Sequence, residues 1–305
     1  MLIETTGLYQ LFNKGTPIEK EALSGVNLKI DAGEFVALIG ETGSGKTTLA
    51  LHLNGILIPT AGSVQVGDFV VGPTTKKSGA LTERVGLVFQ YPEHQLFEMN
   101  VENELKFGLR HKKEKLTEKA AEKLTEILTE EEIDAKVRQA ADLVNLDYDA
   151  LKDRSPFTLS GGEQRKVAIA SILSVDQEIL IFDEPTQGLD AESRAETIAS
   201  IKELNKQGKT VIIITHNIEE IVNVTDRIII LSGGKIVTDC KAADIFLDHA
   251  AGKYMEPFLP EVTELLLRLK QKGWKVTTGT YKAKDALKEI LSELKNEDTG
   301  SGRLL

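Results

Sequence analysis

Cysteine is nearly missing from this 305-residue chain, where Cys240 stands alone. That excludes a disulfide framework within the chain and any cysteine-rich metal site. Long apolar runs are missing as well. None approaches the ~20 residues that a membrane-spanning helix needs, so any membrane role has to come through a partner. The lone cysteine fits a reducing cytosol, and the opening MLIETTGLYQ lacks the basic start and apolar core of a signal peptide. Positive charge is in deficit, with a formal net charge of −10. This argues against a general binder of nucleic acid or anionic lipid. The length suffices for one large domain and a smaller one.

What is present begins with LIGETGSGKTTLALHLNG, residues 38–55. Gly40-Glu41-Thr42-Gly43-Ser44-Gly45-Lys46-Thr47 fits G-x-x-x-x-G-K-[ST], the P-loop pattern, with Thr48 following. The context agrees: EFVALI before it reads as a buried strand, and Lys46 onward as a helix with Leu49 and Leu53 on one face. Glycines let the backbone approach a ligand closely, and loop amides with a helix N-terminus make an anion site. Lys46 is expected to reach the β- and γ-phosphates of a nucleotide, and the Thr47 hydroxyl to ligate Mg²⁺. A glycine-rich turn that binds nothing is the plainer alternative, and the flanking strand and helix argue against it.

Two further motifs carry chemistry. In EILIFDEPTQGLD an apolar run ends in Asp183 and Glu184. A strand ending in paired carboxylates presents them where ligands bind in open α/β sheets. Asp183 then assists the Mg²⁺, and Glu184 is placed to polarise an attacking water as general base. In FTLSGGEQRKVAIASIL, residues 157–173, Ser160 is a good N-cap and Gly161 and Gly162 leave amides bare ahead of a helix. That is a second anion site, and a chain whose nucleotide is already held has no evident use for it.

Along the chain, residues 1 to about 33 read as short β segments with a turn at NKGTP. GSVQVGDFVV (62–71) alternates as a strand, and RVGLVFQ (84–90) is a buried one. From 92 to about 175 the texture is charged and helical. Strands return at EILIF, TVIIIT and RIIIL, with helical patterns between them. Strand–helix alternation predicts an α/β fold with a mostly parallel sheet. An antiparallel β part stands near its start, and residues 92–175 form an inserted helical subdomain. Residues 1–240 make one domain. Residues 241–305 make a small C-terminal extension, with PEVTELLLRLKQKG and AKDALKEILSELKN as amphipathic helices and EDTGSGRLL as a frayed tail.

GETGSGKT, TLSGGEQRK and ILIFDEPTQGLD, in this order, resemble the ATP-binding-cassette ATPases over roughly residues 2–240. LSGGE is that family's signature motif. The resemblance accounts for the second anion site. In that family two cassettes dimerise head to tail, and Ser160, Gly161 and Gly162 would close over the nucleotide of the other. It also implies that Gln90 is the glutamine touching Mg²⁺ or the attacking water, that His216 contacts the γ-phosphate, and that Gly188-Leu189-Asp190 communicates across the dimer. Phe12 best fits the aromatic that stacks on adenine, with Tyr9 as its competitor. An active ATPase using ATP and Mg²⁺ is expected.

VFQYPEHQLFEMNVENELKFGL (88–109), GTPIEKEAL and the C-terminal extension resemble, within that family, the energy-coupling factor ATPases that drive bacterial uptake of vitamins and metal ions. The resemblance implies three partners: a second cassette (the same chain or a paralogue), a transmembrane coupling subunit and a substrate-binding membrane subunit. It places the chain on the cytoplasmic face of the membrane, with no nucleic acid partner. Glu93, Leu96, Phe97 and Glu98 would face the coupling subunit, with Leu96 and Phe97 as an exposed apolar pair. The charged segment at about 112–132 looks longer than that group usually carries. Alternatives are the ATPase of another transporter of the family, or a soluble cassette in translation or DNA maintenance. The single P-loop argues against a translation factor, and the short insert against DNA maintenance.

Overall fold

The computed structural model describes residues 2–75, 81–120, 128–246, 254 and 256–300, with backbone only at 112–120, 243, 256 and 295–300. The chain opens with a long hairpin, β1 (Ile3–Phe12) and β2 (Lys20–Ile30), around the expected turn. β3 (Phe35–Ile39) then runs into the glycine loop and α1 (Lys46–Leu53). The stretch 62–71, read as one alternating strand, is two: β4 (Ala61–Val66) and β5 (Phe69–Val71). Gly67 breaks it, with φ 55° in the left-handed region that glycine takes at no steric cost. β1, β2, β4 and β5 form an antiparallel sheet of order β2-β1-β4-β5.

β6 (Val85–Val88) starts the second half of the main sheet. After it come α2 (Val101–Ala120), α3 (Glu130–Leu143), α4 (Tyr148–Leu151) and α5 (Gly161–Leu173). β7 (Ile179–Asp183) then pairs in parallel with β6. The helices are thus an excursion between two adjacent strands, as expected. Part of the charged segment at 112–132 lies outside the described residues, while its last residues form the first turn of α3, started by a capping box between Thr129 and Glu132.

α6 (Ala191–Lys206), β8 (Thr210–Ile214), α7 (Ile218–Ile221), β9 (Arg227–Ser232) and β10 (Lys235–Lys241) complete the sheet, whose order is β10-β9-β3-β8-β7-β6. All neighbours are parallel except β10, which pairs antiparallel with β9. β10 was not foreseen, because KIVTDCK mixes charges with few apolar residues.

The two cores follow from the period of two in a strand. Phe35, Ala37, Leu180, Phe182, Val211, Ile213, Ile228 and Ile230 face α2–α7. Their alternates Val36, Leu38, Ile179, Ile181, Ile212, Ile214, Ile229 and Leu231 face α1 and the antiparallel sheet. Burial on both faces is why these strands read as continuous apolar runs. The C-terminal helices α8 (Glu261–Gln271) and α9 (Ala283–Gly300) appear where expected, and α9 continues through residues 297–300, the first four of the nine residues expected as a tail. Leu266, Val276 and Ala286 form a small core of their own. Tyr281 ties this part to the rest through Asn223 and through the Phe246 ring.

One buried group makes stability depend on pH. His52 on α1 is fully buried, with Nδ1 3.1 Å from the Leu57 carbonyl oxygen. A carbonyl only accepts, so Nδ1 carries the proton, and the buried Nε2 has no partner. Burial pushes the imidazole down to about 4, against the pull of that carbonyl. The unfolded chain takes up a proton near ~6.5 and the folded one only near 4, so stability is lost as pH falls through this window. Between pH 7 and pH 5 this amounts to about 2 kcal/mol. His52→Asn keeps a donor without titrating, and its acid loss in urea unfolding should be smaller than wild type by that amount. Equal losses would exclude His52 as the proton acceptor.

Candidate functional site

The glycine loop is moulded against the β1–β2 hairpin. Gly45, the N-cap of α1, has φ 108°, and a Cβ there would sit 2.5 Å from the Ala22 carbonyl oxygen. Any side chain is thus excluded twice, by conformation and by space. The loop folds over Lys46, which is buried and whose Nζ donates to the carbonyls of Gly40 (2.7 Å) and Glu41 (3.0 Å). Burial holds this ammonium below its usual range, while Glu184 and Asp183 act in the opposite direction. The Ser44 hydroxyl is buried in the same loop without a partner.

β7 brings its two carboxylates to this loop. Thr47 Oγ1 donates to Asp183 Oδ2 at 2.7 Å, joining the start of α1 to the end of β7. Burial raises the Asp183 carboxyl above its ordinary value; the Thr47 bond lowers it, Glu184 adds to the rise and Lys46 counters. Glu184 adopts φ 50°, a conformation rare for a residue with a side chain. Strain of this kind concentrates at functional sites. Its two carboxylate oxygens lie 2.9 and 3.0 Å from His216 Nδ1, just beyond β8.

Gly45, Lys46, Thr47, Asp183 and Glu184 line one cleft of about 260 Å³, together with Phe12, Lys20, Ala22, Thr42, Gly43, Thr48 and Gln90; His216 stands outside this lining, against Glu184. Phe12 lines it and Tyr9 does not; the Tyr9 hydroxyl donates to Glu21 at 2.7 Å instead. Gly40, Glu41 and Ser44 belong to the loop behind the lining. Lys20 was missed by sequence reasoning. Only the hairpin carries its ammonium over the loop, 4.0 Å from where a Cβ on Gly43 would lie. Gln187 was missed too. Its side chain accepts a hydrogen bond from Gln90 Nε2.

Comparison with known proteins decides the family. The model for the ABC transporter family matches residues 23–187. The chain belongs to that family. It also belongs to its energy-coupling factor ATP-binding branch. It is 39% identical to the energy-coupling factor transporter ATP-binding protein EcfA2 of Clostridium perfringens, over 95% of this chain and 99% of that one. The EcfA2 of Clostridium tetani is 37% identical over 98% and 99%. Among solved structures, the ATP-binding cassette MJ0796, a dimer in a post-hydrolysis state bound to ADP and Pi, superposes with a TM-score of 0.67. It is 27% identical, covering 79% of this chain and 99% of that one. CbiO1 of Clostridium perfringens, part of the ABC transporter complex cbiONQ, gives 0.67 at 30% identity, covering 87% and 98%.

In this ABC cassette the signature stands apart from the cleft. Ser160 caps α5 in a capping box. Its backbone N–H and hydroxyl donate to Glu163 at 2.8 and 2.7 Å, and its Oγ accepts from the Glu163 N–H at 3.4 Å. These bonds hold the Glu163 carboxyl below its usual range. Gly161 and Gly162 have open space where a Cβ would be, so the helix end is accessible to a ligand held by another molecule. Asp190 accepts from Ser193 N–H at 2.9 Å and caps α6.

The region after Gln90 differs from expectation. Leu96 is only 7% exposed and packs into the core with Val101 and Leu105, whereas Phe97 is 57% exposed. The expected exposed pair is therefore one exposed residue. Glu104 accepts from the N–H groups of both Phe97 and Glu98 (3.0 and 2.8 Å), which pins the loop with Phe97 outward and Leu96 inward. Phe97 stands edge-on to the half-exposed Phe107, ring centroids 4.8 Å apart, and Met99 is exposed beside it.

Proposed function

We propose that this ATPase powers uptake of a vitamin or metal ion as the nucleotide-hydrolysing subunit of an energy-coupling factor importer. The observation that carries the chemistry is the Thr47–Asp183 bond, with Glu184 and His216 paired beside it. One cleft thus brings the glycine loop, Thr47 with Asp183, and Glu184 together, with His216 against Glu184 at its edge, which supports reading them as phosphate loop, metal-binding pair and base.

Thr47, Asp183 and Gln90 offer oxygen donors from three elements, the set a hard cation takes. Among the described residues there is no cluster of three or more His, Cys, Asp or Glu that could hold a metal. That suits Mg²⁺, which completes its shell with waters and substrate phosphates. Bound there, Mg²⁺ would neutralise charge developing on the phosphates. Phe12 would stack on adenine. The loop amides from Gly40 to Thr48 and Lys46 would hold the phosphates. Glu184 would take a proton from the attacking water, and His216 would hold Glu184 in place and reach the γ-phosphate. Ser160, Gly161 and Gly162 would act on the nucleotide of a second cassette, same chain or paralogue, in a head-to-tail dimer.

No helix among the described residues is long and apolar enough to cross a membrane. A peripheral place on the cytoplasmic face, held by a transmembrane coupling subunit and a substrate-binding membrane subunit, fits this reading. Phe97, Met99 and Phe107 supply the apolar docking surface. Phe97→Ala with Met99→Ala should weaken assembly with the membrane subunit by about 2 kcal/mol or more. ATP affinity of the free chain should hold. Leu96→Ala should instead lower stability by about 2–5 kcal/mol. A Phe97/Met99 variant that assembles normally would remove this surface from the interface. Co-purification from native membranes should recover the second cassette and both membrane subunits; recovery with ribosomes or DNA instead would overturn the importer reading.

A further inference from the structure

Gln187 and Arg165 have no part in the chemistry above, yet they sit directly behind it. Gln187 lies four residues beyond Asp183, in the turn that leaves β7. Its backbone N–H donates to the Glu184 carbonyl at 3.2 Å, and its side-chain oxygen takes the Nε2 hydrogen of Gln90. An amide has one oxygen and one nitrogen. With the nitrogen engaged at Gln187, the Gln90 oxygen is the atom left for the cleft that Gln90 lines. Without that acceptor the two ends of the amide would compete for the same orientation.

The turn itself is held from α5. The Arg165 guanidinium donates to the carbonyls of Pro185 (2.6 Å) and Gln187 (3.3 Å), spanning the peptide segment after Glu184. Arg165 is half-buried, and its Nε has no partner; neither has the buried Oε2 of Glu93, three residues past Gln90. A planar fork on two carbonyls fixes a loop in a way that a flexible ammonium does not. Arg165 is also on the first turns of α5, whose N-terminus carries Ser160, Gly161 and Gly162.

We propose that Gln187, held by Arg165, is a positioning residue that orients the Gln90 amide with its oxygen toward the nucleotide-bound metal, and so links the signature helix to the metal site of the same chain. This rests on the reading of Gln90 as a metal contact. A displacement of α5 when its N-terminus engages the second cassette reaches Gln90 through Arg165 and Gln187, two hydrogen-bonded steps.

The test uses the full chain and measures ATP binding by calorimetry, in EDTA and across a Mg²⁺ series. Gln187→Met removes the acceptor at similar length, whereas Gln187→Glu keeps an acceptor for Gln90 Nε2. Partners that orient metal ligands typically affect metal affinity or activity by 10–100-fold. Gln187→Met should therefore need about 10-fold more Mg²⁺ for the same tightening of ATP. Its binding in EDTA should be unchanged, and kcat should fall with little change in KM. Gln187→Glu should stay close to wild type, and Arg165→Met should shift in the same direction as Gln187→Met. Gln90→Ala is measured in parallel. If Gln90→Ala shifts the Mg²⁺ dependence and Gln187→Met does not, the relay is overturned and the metal reading stands. If Gln187→Glu is as impaired as Gln187→Met, the side chain acts by packing and the relay is again overturned. If Gln90→Ala itself shifts nothing, the metal reading fails and takes the relay with it.

Discussion

Glu184→Gln should bind ATP with Mg²⁺ and hydrolyse it ~10²–10⁴-fold more slowly, the usual loss on removing a positioned base. The substitution keeps the volume of the side chain and, through its oxygen, an acceptor for His216, so the pair seen at 2.9 Å can persist. It removes the one property that matters for a water: the capacity to take its proton. Asp183 cannot substitute, because it is buried and already accepts from Thr47. Nucleotide that binds without turning over should accumulate as a closed dimer. Phosphate release and size-exclusion chromatography with ATP report the two effects separately. Near-wild-type phosphate release would remove Glu184 from the role of base.

Lys46→Ala should act one step earlier, on binding. The Lys46 ammonium is fixed by the Gly40 and Glu41 carbonyls beside the carboxylates of Asp183 and Glu184. An ammonium carries three donors, so one is left over for a phosphate. Hydrogen bonds to charged groups contribute about 1.5–3 kcal/mol, which corresponds to roughly 10–100-fold in affinity. The variant also leaves the two carboxylates without their nearest cation, which repels the phosphates further. Direct titration with ATP measures the loss. Unchanged affinity would exclude the loop as the phosphate site, and a thermal melt distinguishes lost binding from lost folding. The two variants should therefore differ in kind: Glu184→Gln binds and stalls, Lys46→Ala scarcely binds.

The importer branch was legible because its evidence is local. PEHQLFE and the residues around it are contiguous, and relatives 37–39% identical over nearly the whole chain carry the same assignment. What that stretch does in space was less legible. Leu96 and Phe97 are neighbours of similar apolarity, and no local rule sends one inward and the other outward. The decision lies with Glu104, which gathers the N–H groups of Phe97 and Glu98 from seven and six residues further on.

The sequence by itself determined the glycine loop between strand and helix, the carboxylate pair at the strand end, the capped signature helix and the parallel sheet that carries them. Each depends on residues adjacent in the chain or on the period of two that buries a strand on both faces. The tertiary structure decided what depends on distant elements meeting. The β1–β2 hairpin puts Phe12 and Lys20 on the cleft and leaves Tyr9 paired with Glu21. The pairing of β6 with β7 brings Gln90 against Gln187, 97 residues apart. The packing of α5 under the β7 turn sets Arg165 on the carbonyls of Pro185 and Gln187. Hydrogen bonds and cleft walls of this kind are made across the fold rather than along the chain, and spacing in the sequence carries no record of them.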